Sequence, residues 1–278
     1  MRMGRIDSHQ HFWHYHPVKD AWITDDMAAI QRDFLPSDLK PLLDANGVSG
    51  CVAVQADQSE AETLFLLELA DQHPFIKGVV GWVDLQAADV AGRLAHFSRY
   101  PKLKGIRHIV QGEDDPRFLL RPEFMAGVEA LASYRLTYDI LVKPHQLDAV
   151  AEFVACFTKQ PFVIDHIAKP DIKSGQKQPW ATQLAAIAKY DNVYCKLSGM
   201  VTEADWADWK QADFVFYIQH IIEVFGPQRV MFGSDWPVCN VAAKYREVVG
   251  LVEHTVGHLP PHQQELIWHR NAVDFYRL

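Results

Sequence analysis

The sequence predicts an α/β fold, a single-domain (β/α)8 or TIM barrel, on three observations. Short apolar, β-branched runs recur down the chain. Each is followed by a longer stretch with helical spacing of its apolar residues. The repeats number eight in 278 residues, the size at which parallel strands and covering helices close into a barrel.

The strands are expected at 5–7, 50–55, 78–83, 103–107, 136–142, 162–165, 193–197 and 230–233. Between them, amphipathic stretches at 61–72, 124–133, 147–157, 180–189 and 213–225 read as helices, the first with Leu64, Leu67 and Leu69 facing inward. Pro36, Pro122 and Pro179 sit near helix starts, where a missing N–H is harmless. Gly47 and Gly226 sit where helices should stop. The competing arrangement, a doubly wound open sheet, lacks the G-x-G-x-x-G turn that would recommend a dinucleotide site. No linker, low-complexity tract or charge block divides the chain, so residues 1–278 are expected to form one domain.

Composition narrows the function classes. Hydrophobic residues make up 49% and charged ones 22%, the balance of a soluble globular protein. A formal charge of −8 provides no basic stripe for nucleic acid and favours a small-molecule partner. No apolar run reaches the roughly 20 residues of a membrane span. The N-terminal Met-Arg-Met-Gly-Arg stretch lacks the apolar core of a leader peptide. Cys51, Cys156, Cys195 and Cys239 are widely spaced, with no C-x-x-C pair. Most sit among apolar neighbours, so free thiols in a reducing, cytoplasmic setting are expected. Trp206 and Trp209 could serve a homo-oligomer contact or ordinary helix packing.

The chemistry-bearing residues gather at predicted strand ends. His9 and His11, two apart, point the same way from strand one. Such a pair can hold a divalent cation, or orient water and a carbonyl; it also fits a plain polar turn. Gly233-Ser-Asp-Trp-Pro ends strand eight. Strands one and eight are neighbours in a closed barrel, so His9, His11 and Asp235 meet at the C-terminal rim if the barrel closes. The alternative for Asp235 is an N-cap of the next helix. His166 closes strand six, as a site residue or as a core histidine bonded to a carbonyl. Arg107 and His108 cap strand four, where Arg107 suits a carbonyl oxygen as a substrate clamp or makes a rim salt bridge. Trp82 ends strand three, and Trp82, Trp13 and Trp236 offer flat walls for a sugar ring or else close the barrel. Lys143, Lys169 and His145 lie on rim loops, where solvent exposure is the competing explanation. There is no G-x-S-x-G nucleophile elbow and no Gly-rich phosphate loop.

Taken together, several stretches resemble the amidohydrolase superfamily (amidohydrolase family 2), and within it the sugar-lactonase branch of L-fuconolactonases and L-rhamnonolactonases. They are Asp7-Ser-His-Gln-His-Phe-Trp, Lys104-Gly-Ile-Arg-His, Asp165-His-Ile-Ala-Lys-Pro, Cys195-Lys-Leu-Ser-Gly and Gly233-Ser-Asp-Trp-Pro. The resemblance implies a distorted (β/α)8 barrel with His9, His11, His166 and Asp235 as catalytic residues and ligands of a divalent metal such as zinc. Arg107-His108 stands where many members carry a lysine or glutamate bridging two metals, which implies at most a mononuclear site. The strand-five histidine is missing unless His145 substitutes for it. Some relatives are lactonases that work without metal, so the ion is not obligatory.

The expected reaction is hydrolysis of a neutral sugar lactone (L-fucono-, L-rhamnono- or galactono-lactone type). Asp235 acts as general base, and His9, His11, His166 and Arg107 polarise the carbonyl directly or through one Zn²⁺. Arg107, His108, Trp82, Lys143 and Trp236 are the expected substrate-binding residues. The alternatives are a zinc-dependent decarboxylase of the same superfamily and a non-catalytic barrel that binds a sugar acid.

Overall fold

A computed structural model describes residues 4–278; the first three residues of the N-terminal stretch, on which the expectation about a leader peptide partly rests, lie outside the described residues. Eight parallel strands form one sheet in sequence order. They are β1 (Arg5–Gln10), β2 (Val48–Val54), β3 (Ile76–Gly81), β4 (Leu103–His108), β5 (Thr137–Ile140), β6 (Phe162–Ile164), β7 (Val193–Leu197) and β8 (Val230–Phe232). The covering helices are α1 (Pro36–Ala45), α2 (Glu60–Gln72), α3 (Val90–Phe97), α4 (Pro122–Leu131), α5 (Leu147–Ala155), α6 (Trp180–Ile187), α7 (Gln211–Phe225) and α8 (Tyr245–Val256). The chain ends in α9 (Pro261–Glu265) and α10 (Asn271–Tyr276), joined by a single π-helical stretch. This is the single-domain (β/α)8 barrel that the strand–helix rhythm predicts, and among the described residues no helix is long and apolar enough to cross a membrane.

All eight strands fall where the apolar runs place them, and α1 lies between Pro36 and Gly47 as those residues indicate, but α3 and α8 were not among the expected helices. In α2 the buried stripe is Thr63, Leu66, Leu67 and Ala70, with Leu64 and Leu69 only partly buried. The reason is geometric: the stripe follows i, i+3, i+4, i+7, whereas Leu64 and Leu69 flank it.

Closure between β1 and β8 is made by few bonds. Asp235 N donates to His9 O (2.8 Å), His11 N to Trp236 O (2.7 Å) and Ser8 Oγ to Phe232 O (2.6 Å). The strands approach so closely that a Cβ on Gly233 would sit 2.7 Å from His9 Cβ, so only glycine fits there. Asp7 ties the seam from the outside, accepting from Ser234 N (2.8 Å), His9 N (3.2 Å) and Tyr245 Oη (3.0 Å).

The core has two parts. The larger lies between strands and helices; the smaller groups Ile6, Val52, Val80, Val163 and Met231 with Ala272, Phe275 and Tyr276 of α10. Two residues further along their strands from Val163 and Tyr194 come Asp165 and Lys196, both fully buried. An apolar layer thus gives way to a charged one just beneath the C-terminal rim.

Burial pushes the Asp7 carboxyl up to about 6 against the hydrogen bonds from Ser234, His9 and Tyr245. Its folded value lies above the ordinary 3.8, so the stability linked to its proton is full below about pH 4 and is lost as pH rises through 6. The shift corresponds to about 3 kcal/mol. Asp7→Asn keeps the acceptor and removes the charge. In denaturant unfolding of metal-free protein, its stability relative to the native chain should improve by about 2–3 kcal/mol between pH 4 and pH 7; a pH-independent difference would contradict this.

Candidate active site

The seam delivers three groups to one point, and β6 adds a fourth. His9 Nε2 and His11 Nε2 lie 3.2 Å apart, and Asp235 Oδ1 is 3.9 Å from the former and 3.3 Å from the latter. His166 Nε2 is 3.8 Å from the same oxygen. All four residues are buried. His11 Nδ1 is 2.7 Å from the Val54 carbonyl, which can only accept, so Nδ1 carries a proton and Nε2 is the nitrogen left to face the other groups.

Lone pairs and an anion that converge in this way repel one another unless positive charge lies among them. Ligands bound at zinc distances of about 2.0–2.1 Å in a tetrahedron stand about 3.3 Å apart. The observed separations bracket that value. The nitrogen and oxygen donors suit zinc, and the carbonyl behind His11 is the outer support such a ligand needs. The residues therefore fit one divalent ion held by His9, His11 and Asp235, with His166 beside them.

Beneath this point lies the charged layer. Lys196 Nζ is 2.5 Å from Asp139 Oδ2, 2.9 Å from Asp165 Oδ1 and 3.3 Å from His9 Nδ1. Arg107 Nη1 donates to Asp165 Oδ2 (3.0 Å) and lies 3.3 Å from His9 Nε2, while Nη2 donates to the Gln55 carbonyl. Tyr276 Oη donates to Asp139 Oδ2 (2.6 Å), so α10 reaches the layer from below. Burial opposes ionisation of Asp165, but Lys196, His9 and Arg107 outweigh it and hold the carboxyl well below the usual range. Asp139, also buried, is pushed up despite Lys196. Burial lowers His9 well below its ordinary value against the pull of Asp165, and lowers His166 to about 3 against Asp235. Both imidazoles are therefore neutral at neutral pH. Burial would raise Asp235, yet the surrounding imidazoles, His166 foremost, hold it well down.

Two site residues sit in strained backbone. Asp235 has φ 57°, and His166 opens a run of four left-handed residues, His166, Ile167, Ala168 and Lys169, at φ 54°, 48°, 58° and 51°. Each costs roughly 1–2 kcal/mol for an L-residue. The turn is held by burial of Ile167 and Ala168, by Trp180 Nε1 donating to Ile167 O (2.7 Å), and by the contact of His166 Nδ1 with Ser198 Oγ (2.9 Å). Gly199, itself at φ +59°, leaves room for the ring: a Cβ there would lie 2.4 Å from His166 Nδ1.

A cavity of about 340 Å³ opens over these groups, within the range of small-molecule sites. His11, Arg107, His166 and Asp235 line it, and His9 lies directly behind them. The other four expected substrate-binding residues are not brought to it. His108 points away from the barrel interior, stacked on Phe118 and 2.7 Å from Glu113 Oε1. Trp82 follows it outward, its Nε1 3.4 Å from His108 Nδ1. Alternation along a strand explains both: the neighbour of an inward residue such as Arg107 faces the helices. Lys143 is exposed, and Trp236 is buried edge-to-face on Phe34. His145 is exposed, so no histidine replaces the missing strand-five ligand; Asp139 occupies that strand.

Sequence reasoning missed Lys196, Asp139 and Asp165, although the expected strands 193–197, 136–142 and 162–165 contain all three. The available signal was a charge within a short apolar strand of an all-parallel sheet, which must be paired to be buried. Glu203 and Trp22, both lining the cavity, were also missed, because loops carry no periodicity. Trp206 lines the cavity too and is half-buried.

Three imidazoles and one carboxylate that could hold a metal ion, on the C-terminal rim of a (β/α)8 barrel, place the chain in the class of hydrolase barrels. The chain belongs to the amidohydrolase family, whose model matches residues 6–278. It is 41% identical to an L-fucono-1,5-lactonase of Burkholderia multivorans, over 99% of this chain and 96% of the relative. An L-fucono-1,5-lactonase of Burkholderia ambifaria is 36% identical, again over 99% and 96%. A crystal structure of an amidohydrolase from Burkholderia multivorans with bound zinc is 40% identical and superposes with a TM-score of 0.94, covering 99% of this chain and 100% of that one.

Lys196→Met should destabilise the protein by about 3–5 kcal/mol in urea unfolding, because Asp139 and Asp165 then face each other with their shared cation gone. Adding Asp139→Asn should restore part of that loss. A Lys196→Met chain of native stability would show that the pairing carries no weight.

Proposed function

We propose that this protein is a lactonase that opens a neutral sugar lactone of the L-fucono-1,5-lactone type to the corresponding aldonic acid. The observation that carries the reading is Asp235, an ionised carboxylate at the floor of the cavity. Its Oδ1 faces the imidazoles, while no described residue pairs with its Oδ2. Full-length similarity to two L-fucono-1,5-lactonases supports the substrate class.

Hydrolysis requires water to lose a proton as its oxygen attacks the ester carbonyl, and the ring C–O bond must then break. Asp235 takes that proton through its unpaired oxygen and returns it to the departing ring oxygen, giving the hydroxy acid. Arg107 brings a permanent positive charge to the cavity floor, where it opposes the negative charge growing on the carbonyl oxygen. Its Nε–H has no hydrogen-bond partner among the described residues. His9, His11 and Asp235 would hold a divalent ion, which when bound supplies Lewis-acid polarisation of the ester. Asp165 and Lys196 fix His9 from behind, and Ser198 fixes His166. The whole site is thus arranged before substrate arrives, so little reorganisation is needed during reaction.

A pH-indicator assay on sugar lactones tests the reading. Turnover of L-fucono-1,5-lactone with proton release is expected, and the absence of release on every sugar lactone would overturn it. Asp235→Asn should lower kcat by about 10²- to 10⁴-fold with an unchanged melting temperature; near-native activity would remove Asp235 as the base. Equilibrium dialysis against zinc should give one ion per chain, with affinity weakened roughly 100-fold or more in His11→Ala.

A further inference from the structure

The loops after β6 and β7 bring to the cavity wall an ion pair that the hydrolytic chemistry leaves unused. Lys169 Nζ lies 2.8 Å from Glu203 Oε1, and both residues line the cavity. Both residues are anchored at the backbone. Lys169 closes the left-handed turn, with its N–H on His166 O (2.8 Å). The Glu203 backbone carbonyl accepts from Lys173 N (2.9 Å), which ties the two loops together. Oε1 is also 3.3 Å from Thr202 Oγ1, whereas Oε2 receives no hydrogen bond from any described residue. The ammonium has three donors and spends one on Glu203. A free acceptor therefore stands beside free donors on a preorganised wall.

Two further features restrict what such a wall can hold. Trp22 and Trp206 line the same cavity, and Trp206 is anchored by Nε1 donating to Thr202 O (2.9 Å). Aromatic rings of this kind suit the C–H face of a saturated ring. The two cations of the cavity lining, Arg107 and Lys169, are each already paired, with Asp165 and Glu203. No lining cation is left over for a carboxylate or sulfonate on the substrate.

We propose that Lys169 and Glu203 are specificity-determining residues that read two adjacent hydroxyls of the lactone ring, one donating to Glu203 Oε2 and its neighbour accepting from Lys169 Nζ. A donor and an acceptor already bonded to each other match the spacing of a vicinal diol, and the pair leaves no net positive charge on that wall to attract an anionic lactone. The inference rests on the lactonase reading for its substrate class, but it can be tested by binding alone.

The probes are a polyhydroxylated δ-lactam, a lactone analogue without the ester, and δ-valerolactam, which has the same ring without hydroxyls. By calorimetry, Glu203→Gln should weaken binding of the hydroxylated lactam about tenfold or more and leave δ-valerolactam within about twofold. On L-fucono-1,5-lactone the same variant should lose a similar factor in kcat/KM, mostly through KM. Lys169→Met carries the same comparison if Glu203→Gln fails to fold. Equal weakening of both lactams, unchanged binding of the hydroxylated one, or a native chain that does not distinguish them would overturn the inference even where lactone turnover stands. Hydroxyl-dependent binding that disappears in the variant, in a native chain that turns over no lactone, would leave the pair standing and remove the lactonase reading.

Discussion

The site exists because β8 closes against β1. Few bonds hold that seam: a handful link the strands and their extensions, and Asp7 clamps it from outside. The two backbone bonds joining Asp235 to His9 and His11 to Trp236 also set the relative height of the histidine pair and the aspartate. Gly233 is part of the same constraint, since any side chain there would push His9 away. The bonds that complete the barrel therefore also build the catalytic constellation, so a change that opens the seam removes both at once.

A second constraint follows from placing imidazoles and a carboxylate in a dry cavity. Burial favours the neutral forms of the histidines and would also neutralise the aspartate. The imidazoles of His166, His11 and His9 oppose that neutralisation of Asp235, while Lys196 and Arg107 in the layer below hold Asp165, which contacts His9, ionised. Two buried carboxylates share one lysine, and their environments push them apart, Asp165 toward ionisation and Asp139 away from it. The Tyr276 hydroxyl extends the network to α10, so the C-terminal helix both seals the apolar end of the barrel and reaches its charged layer. Backbone strain at His166 and Asp235 is tolerated for a related reason: tight packing around each turn leaves the chain no alternative path.

Much of this was legible in the residues. Period-two spacing placed His9 and His11 on one face, and the strand–helix rhythm predicted the rim to which Asp235 and His166 come. Short-range pattern also carried errors. It assigned Leu64 and Leu69 to the α2 stripe because they are apolar, although the helix turns them aside. It grouped His108 with Arg107 because they are adjacent, although adjacent residues on a strand face opposite ways. Trp82 and Lys143 were placed at strand ends, but lying near the rim does not mean lining the cavity.

By itself, the sequence determined the barrel, its element order, the residue types at the rim and the family. These are local or statistical properties, written in periodicity, turn residues and motifs that do not depend on what lies across the molecule. Only the tertiary structure decided which charges are paired, which lone pairs converge and which residues line the cavity. Lys196 with Asp139 and Asp165, and Lys169 with Glu203, are contacts between different strands or loops, fixed by the closure and tilt of the barrel. Electrostatic pairing acts through space at a few ångströms, and separation along the chain carries no record of it.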